Sequence, residues 1–251
     1  MKITSDLTFP VIIAHRGFKR RYPENTLIAF EAAIDAGATM IELDVTLSKD
    51  REVIVIHDDT LDRTSNGKGP VQKYSLAELK RLDAGSWFDP RFKGERIPTL
   101  GEVLDLVRNR ILLNIEIKIS AYESDSPYDS IEKQVLRLVS MTGCLDSVLF
   151  SSFEPALLKS IVKVEKRSRL ALLTEKPLTQ KAWECCKDLN PFSWNPDYRS
   201  VTEGRVQEMH GKNIRVFPYT VNSLSDAKRL VEMGVDGFFT DDPALMISLL
   251  F

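Results

Sequence analysis

Two segments of this chain place carboxylates where a buried strand would ordinarily carry hydrocarbon. In Met40-Ile41-Glu42-Leu43-Asp44-Val45, three apolar residues alternate with Glu42 and Asp44, and in Leu112-Leu113-Asn114-Ile115-Glu116-Ile117-Lys118 the isoleucines alternate with Asn114, Glu116 and Lys118. Successive side chains of a strand point to opposite faces, so each run has one apolar face and one charged face. An ionised carboxylate is costly to bury unless it is paired or bound to a cation. Solvated strand ends, or an ion pair such as Glu116 with Lys118, would explain one such run; the same pattern in two indicates a shared site. The hard oxygen donors Glu42, Asp44 and Glu116 suit one divalent cation, Mg2+ or Ca2+, rather than zinc.

The chain has 3 histidines, and two of them end strand-like runs: His15 after Val11–Ala14, and His57 after Val53–Ile56. With an unperturbed pKa near 6.5, a pair of histidines can serve as acid and base near neutrality. His210 lies at a helix end, where capping or packing is the expected role. Arg16 adds a fork-shaped anion donor beside His15, and Lys118 adds a point charge. A divalent cation, two phosphate-binding cations and two catalytic histidines together describe a site for a phosphate ester. Pro23-Glu24-Asn25-Thr26 reads as a helix start, with Asn25 or Thr26 as N-cap rather than Asn25 as a ligand.

These residues need elements that bring strand ends together. Short apolar runs at Val11–Ala14, Met40–Val45, Leu112–Ile117, Ser147–Ser151, Leu170–Leu173, Phe192–Trp194, Ile214–Tyr219 and Gly237–Phe239 alternate with helical patterns. The helical patterns cover Thr26–Ala36, Ser130–Met141, Pro155–Glu165, Thr179–Asp188, Thr202–His210 and Ser225–Met233. Strand followed by helix, repeated, predicts parallel βα units, and the number of strands predicts an α/β, TIM-type (β/α)8 barrel with its site at the C-terminal strand ends. Val53–Ile56 follows its predecessor across Ser48-Lys49-Asp50-Arg51, too short for a parallel crossover, so it is the return arm of a hairpin. It opens a small insertion after the second barrel strand, residues 45–110, expected to lie over the barrel mouth of a single domain spanning 1–251. Glycine- and proline-rich loops there surround two helical patterns, Ser75–Leu82 and Thr99–Val107, with Ser75 and Thr99 as N-caps. Trp87, Phe88 and Phe92 cluster in this segment, where a lid could use them.

The bulk numbers fit that reading. A length of 251 residues with 43% hydrophobic and 28% charged residues is ordinary for one barrel domain. The formal net charge of -2 offers no basic footprint for nucleic acid. The 3 cysteines, Cys144, Cys185 and Cys186, make a poor disulfide framework and read as free thiols. No apolar run is long enough for a membrane span, and no secretory leader is evident, so a cytoplasmic location is expected.

The ordered set His15-Arg16-Gly17, Pro23-Glu24-Asn25-Thr26, Ile41-Glu42-Leu43-Asp44-Val45, His57-Asp58 and Leu61-Asp62-Arg63-Thr64 is joined downstream by Leu82-Asp83-Ala84-Gly85, Ile97-Pro98-Thr99-Leu100, Asn114-Ile115-Glu116-Ile117-Lys118 and Ser151-Ser152-Phe153. Tyr219-Thr220-Val221-Asn222, Gly234-Val235-Asp236-Gly237 and Thr240-Asp241 complete it. Over essentially its whole length the chain resembles the glycerophosphodiester phosphodiesterases, in particular their cytosolic bacterial form. The resemblance implies hydrolysis of sn-glycero-3-phosphodiesters, such as glycerophosphocholine or glycerophosphoethanolamine, to an alcohol and sn-glycerol 3-phosphate. It implies metal ligation by Glu42, Asp44 and Glu116, catalysis by His15 and His57, and phosphate contacts from Arg16 and Lys118. Arg51 stands where a glycine is usual in the hairpin turn, and Tyr219 where many members have tryptophan. Two other functions fit the same residues: a lysophospholipase D-like enzyme, which would need an apolar channel at the mouth, and a silent phosphodiester-binding barrel, which would be expected to lack a histidine or carboxylate.

Overall fold

Runs rich in valine, isoleucine and leucine pair side by side as parallel strands. The computed structural model describes residues 2–3, 9–125, 127–175 and 182–250. Its barrel strands are β1 (Val11–His15), β2 (Met40–Leu47), β4 (Leu112–Ile117), β5 (Val148–Ser152), β6 (Arg169–Thr174), β7 (Ser193–Pro196), β8 (Arg215–Val216) and β9 (Gly237–Thr240), in the order β8-β7-β6-β5-β4-β2-β1-β9. The remaining strand, β3 (Val53–Val55), pairs antiparallel with β2. Between the outer strands, Asp236 N donates to Val216 O at 3.1 Å, Phe239 N to Pro218 O at 3.0 Å and Val221 N to Phe239 O at 2.8 Å. These bonds bring the ring of eight parallel strands close to closure. The expected strand Ile214–Tyr219 is thus shorter as a ladder, but its tail stays paired, with Phe217 N donating to Trp194 O at 3.0 Å and Tyr219 N to Pro196 O at 2.9 Å.

Each barrel strand is followed by a helix: α1 (Leu27–Asp35), α3 (Leu100–Val107), α4 (Ile131–Met141), α5 (Pro155–Val164), α6 (Ala182–Cys186), α7 (Glu203–His210), α8 (Leu224–Glu232) and α9 (Pro243–Leu250), while α2 (Leu76–Leu79) lies between β3 and α3. Of the expected helix Thr179–Asp188, residues 179–181 lie outside the described residues. The sequence reading missed α9. It is apolar almost all round, so no polar stripe marks it as a helix.

Alternation sorts the core into two layers. Ile12, Ala14, Ile41, Leu43, Val45, Ile115 and Ile117 face outward into the cluster beneath the helices. Val11, Ile13, Met40, Leu112, Leu149, Ala171, Phe217 and Phe239 fill the barrel interior, and Ile3 joins them. Residues 45–110 divide between two cores. Leu100, Val103, Leu104 and Val107 of α3 pack in the barrel's outer cluster, whereas Ile54, Ile56, Leu61, Val71, Leu79, Ala84 and Ile97 form a separate small core. Both Ser75 and Thr99 cap their helices in reciprocal capping boxes, with Glu78 and Glu102. Among the described residues no helix is long and apolar enough to cross a membrane.

Gly237 marks where β9 meets β1. A Cβ there would lie 2.3 Å from Val11 O, 2.7 Å from Val11 Cβ and 2.8 Å from Val11 N, with no flexible chain end to yield. Gly237→Ala is therefore expected to destabilise the fold by about 3 kcal/mol. Urea unfolding measures this; an unchanged midpoint and slope would show that the β1–β9 seam is looser than described.

Candidate active site

Strand register decides what meets at the mouth. Across the parallel pairs, His15 lies opposite Glu42, and Asp44 opposite Glu116. The apolar faces of β2 and β4 are committed to the outer cluster, so these carboxylates have only the interior to point into. Oxygens of Glu42, Asp44 and Glu116 come within 4.8 Å of one another. Glu42 is 2% exposed and Asp44 1%. Burial and then the charge of its neighbours push the Glu42 carboxyl well up, and the same causes raise Glu116 to about 7. Asp44 is held low despite its burial, because Arg16 and Lys118 stand beside it. One Asp44 oxygen, Oδ1, is buried without a hydrogen-bond partner. An acidic trio with two members buried, the third partly so, and an unsatisfied oxygen fits a hard divalent cation, which would remove the repulsion and use the free lone pairs.

The loop after β1 supplies one cation, Arg16, and the residue after β4 the other, Lys118. Arg16 and Gly17 both adopt left-handed backbone, at φ 57° and 81°. That turn aims Arg16 N at Glu42 Oε2, 2.8 Å away. A Cβ on Gly17 would meet the Ala29 backbone at 2.8 Å, so the turn can press against α1 only because residue 17 has no side chain. The Arg16 guanidinium lies 2.8 Å from Glu24 and 3.4 Å from Asp44. Lys118 Nζ lies 3.0 Å from Glu116 and 3.6 Å from Asp44. Thr26 alone caps α1, while Asn25, at φ 56°, donates from Nδ2 to Asp44 Oδ2 at 2.9 Å.

Both histidines are held by carboxylates. His15 Nδ1 lies 2.8 Å from Asp241 Oδ1, and His57 Nδ1 lies 2.6 Å from Asp58 Oδ1. A carboxylate only accepts, so the ring proton sits on Nδ1 and Nε2 is left for the cavity. Burial lowers His15 to about 4, against the pull of Asp241. His57, more exposed, is also lowered by burial. The β2–β3 hairpin brings it here, since Ile56 N donates to Asp44 O at 3.0 Å. Arg51 stands in that hairpin at φ 63°, with its guanidinium on Glu123 and Asp129.

His15, Arg16, Glu42, His57, Glu116 and Lys118 all line one cavity of about 460 Å³, whose opposite wall includes Phe153, Leu173, Tyr219 and Phe239. A second hollow of about 510 Å³ opens beside it and shares His57, Glu116, Lys118, Ile119 and Phe153; Asp59, Thr60 and Ser120 lie on its outer side. His210 is elsewhere, paired with Asp236 at 2.8 Å. Trp87, Phe88 and Phe92 line neither hollow; they stack with one another, and Phe92 with Tyr22. The sequence reading assigned no role to Asp241, Asp58, Glu24 or Arg63. Asp241 follows the end of β9 directly, and position at a strand end is the signal that could have found it.

A model of the glycerophosphoryl diester phosphodiesterase family matches residues 15–245. A glycerophosphodiester phosphodiesterase of Caldanaerobacter subterraneus subsp. tengcongensis is 38% identical over 241 residues, covering 96% of this chain and 97% of that protein. One from Bacillus altitudinis is 42% identical over 242 residues, covering 95% and 97%. Among solved structures, an Oleispira antarctica phosphodiesterase in complex with the product sn-glycerol-3-phosphate is similar at a TM-score of 0.88 and 31% identity, covering 96% of each chain.

The raised carboxyls make the metal-free protein sensitive to pH. Glu116 keeps its proton in the folded state until about 7, against an ordinary 4.5, so its contribution to stability is lost as pH rises through that window. His15, at about 4 against 6.5, acts in the opposite sense, so the contrast is read between variants. In excess chelator, Glu116→Gln is expected to melt above the parent at pH 8 and level with it at pH 4. Mg2+ or Ca2+ should raise the parent's melting temperature at pH 8 more than the variant's. A variant that melts lower than the parent at pH 8 in chelator would contradict the repulsion.

Proposed function

Given that the chain belongs to the glycerophosphoryl diester phosphodiesterase family and shares its glycerophosphodiester phosphodiesterase activity, we propose that it hydrolyses sn-glycero-3-phosphodiesters such as glycerophosphocholine and glycerophosphoethanolamine. The products are an alcohol and sn-glycerol 3-phosphate. The observation that carries this reading is the meeting of two histidines, Arg16, Lys118, Glu42 and Glu116 on one cavity, with Asp44 buried against them. Glu42, Asp44 and Glu116 hold one Mg2+ or Ca2+, which when bound supplies Lewis-acid stabilisation to the phosphate. Arg16 and Lys118 hold phosphate oxygens and neutralise charge that grows in the transition state.

The histidines divide proton transfer. His15 is deeper and neutral at physiological pH, with Asp241 fixing its Nδ1, so its Nε2 takes the proton of the attacking hydroxyl. His57 borders the outer hollow, through which the alcohol leaves; it acts as the imidazolium, keeping Nδ1–H on Asp58 while its Nε2–H gives the proton to the departing oxygen as the P–O bond breaks. Within one domain, 1–251, the stretch 57–60 of residues 45–110 forms the wall on this side of the mouth. Cys144, Cys185 and Cys186 form no disulfide among the described residues, which suits a reducing compartment, and we place the reaction in the cytoplasm.

Chelation is expected to abolish turnover, with Mg2+ or Ca2+ restoring it. Full activity in excess chelator would remove the cation from the mechanism. General acid catalysis typically contributes about 10²- to 10⁴-fold. His57→Ala is expected to lose roughly that much on glycerophosphocholine and far less on a nitrophenyl ester of glycerol phosphate, whose leaving group needs no proton. His15→Ala should lose comparable activity on both. Rescue of His15→Ala by the nitrophenyl ester would reverse the two roles. A lysophospholipid substrate preferred over the glycerophosphodiesters in the same assays would overturn the substrate assignment.

A further inference from the structure

The site leaves one side chain unaccounted for. Arg63, in the loop between β3 and α2, donates four hydrogen bonds to two carboxylates. Its Nε and Nη2 reach Asp58 Oδ2 and Oδ1 at 2.7 and 2.9 Å. Its Nη1 and Nη2 reach Glu24 Oε2 and Oε1 at 2.9 and 2.8 Å. The oxygens shared by Nη2 are the ones that continue into the site. Asp58 Oδ1 is the atom against His57 Nδ1, and Glu24 Oε1 is the atom that accepts from Arg16 Nη1.

We propose that Arg63 is a positioning residue for the reaction: through Asp58 it fixes the ring of His57, and through Glu24 it fixes the guanidinium of Arg16. One side chain of the insertion thereby sets the proton donor and the phosphate clamp together. This rests on the roles given above to His57 and Arg16.

The chemistry of each partner supports the linkage. Asp58 has no other cationic partner besides His57 among the described residues, so without Arg63 its carboxylate could rotate and carry the imidazole with it. Glu24 is buried, and burial alone would raise its pKa; hydrogen bonds from Arg63 and the charges of Arg16 and Arg63 hold it at about 2. The planar guanidinium can engage both carboxylates in parallel pairs of bonds, which a lysine ammonium cannot. Arg63 itself is 43% exposed. Ion pairs at such exposure add little to stability, and Glu24 retains Arg16 when Arg63 is removed. A contact that is geometrically specific and energetically minor suits orientation better than scaffolding.

The test is a set of kcat and KM values at saturating Mg2+ for Arg63→Lys and Arg63→Ala, in the parent and in His57→Ala, on glycerophosphocholine and the nitrophenyl ester, with melting temperatures alongside. Arg63→Lys is expected to melt within a few degrees of the parent and to lose roughly 10- to 100-fold in kcat on glycerophosphocholine, by analogy with the loss when hydrogen-bond partners of metal-ligating histidines are removed. The loss should be smaller on the nitrophenyl ester, and KM should rise on both substrates as Arg16 drifts. In His57→Ala, losing Arg63 should lower kcat by much less than it does in the parent, the remaining loss being that of the Arg16 arm. Millimolar guanidinium ion should restore part of the activity of Arg63→Ala. Parental kcat and KM in Arg63→Lys, or losses that simply multiply with that of His57→Ala, would overturn the proposal. If Arg63→Ala does not fold, Arg63→Lys and Asp58→Asn carry the same comparison. If His57→Ala alone is fully active on both substrates, the role of His57 is what fails, and the KM shift still reads the Arg16 arm.

Discussion

Like charges crowded into a low-dielectric mouth repel, and three carboxylates share that condition here. Everything around them answers to it. Two cations approach Asp44, which alone of the three is kept ionised by its neighbours, while Glu42 and Glu116 hold protons more readily than an ordinary glutamate. Taking an ion out of water costs several kcal/mol on the order of magnitude, so such an arrangement persists only where something repays it. The compensating partners come from separate parts of the chain: the turn after β1, the strand β4 and the asparagine before α1.

The barrel makes that convergence possible because parallel strands all end at one rim. Several departures from regular backbone lie at that same rim. Arg16, Gly17 and Asn25 adopt left-handed conformations within ten positions of one another, and each points a polar group at the acidic trio or lets the chain pass close to α1. Such conformations are uncommon outside glycine, and they persist when the surroundings over-determine them. The hairpin β2–β3 is the other departure. It carries His57 back toward the strand that holds Asp44, which no helix-linked strand could do in so few residues.

Alternation along β2 and β4 was legible in the sequence because it is set by the two-residue period of a strand, and it located the carboxylates without any tertiary information. The hairpin was legible because a four-residue turn excludes a parallel crossover. Other features depend on contacts between distant segments. Asn25 has the composition of a helix cap, and only the position of Asp44 turns it into a partner of a carboxylate. Trp87 looked like a lid residue by composition, but its indole donates to Ala84 O at 2.8 Å within the insertion's own turn. Helix α3 read as part of the insertion because it follows the insertion in sequence; its leucines and valines belong to the barrel's outer layer. Asp241 and Arg63 lay in recognised motifs, yet their roles follow from which histidine and which arginine stand beside them, and spacing does not encode that.

The bond between His15 and Asp241 joins residues 226 positions apart in the chain. A ribosome adds about 5–20 residues per second, so roughly ten to forty-five seconds separate the synthesis of the two partners. During that interval His15, Arg16 and the acidic trio have emerged, while the strand β9 that flanks β1 has not. The edge of β1 is then an open row of backbone donors and acceptors, a surface that invites pairing with another chain. Completion of β9 covers that edge and delivers Asp241 to His15 in the same event. A nascent or C-terminally clipped chain consequently combines an uncovered β1 edge with a His15 that lacks its carboxylate partner.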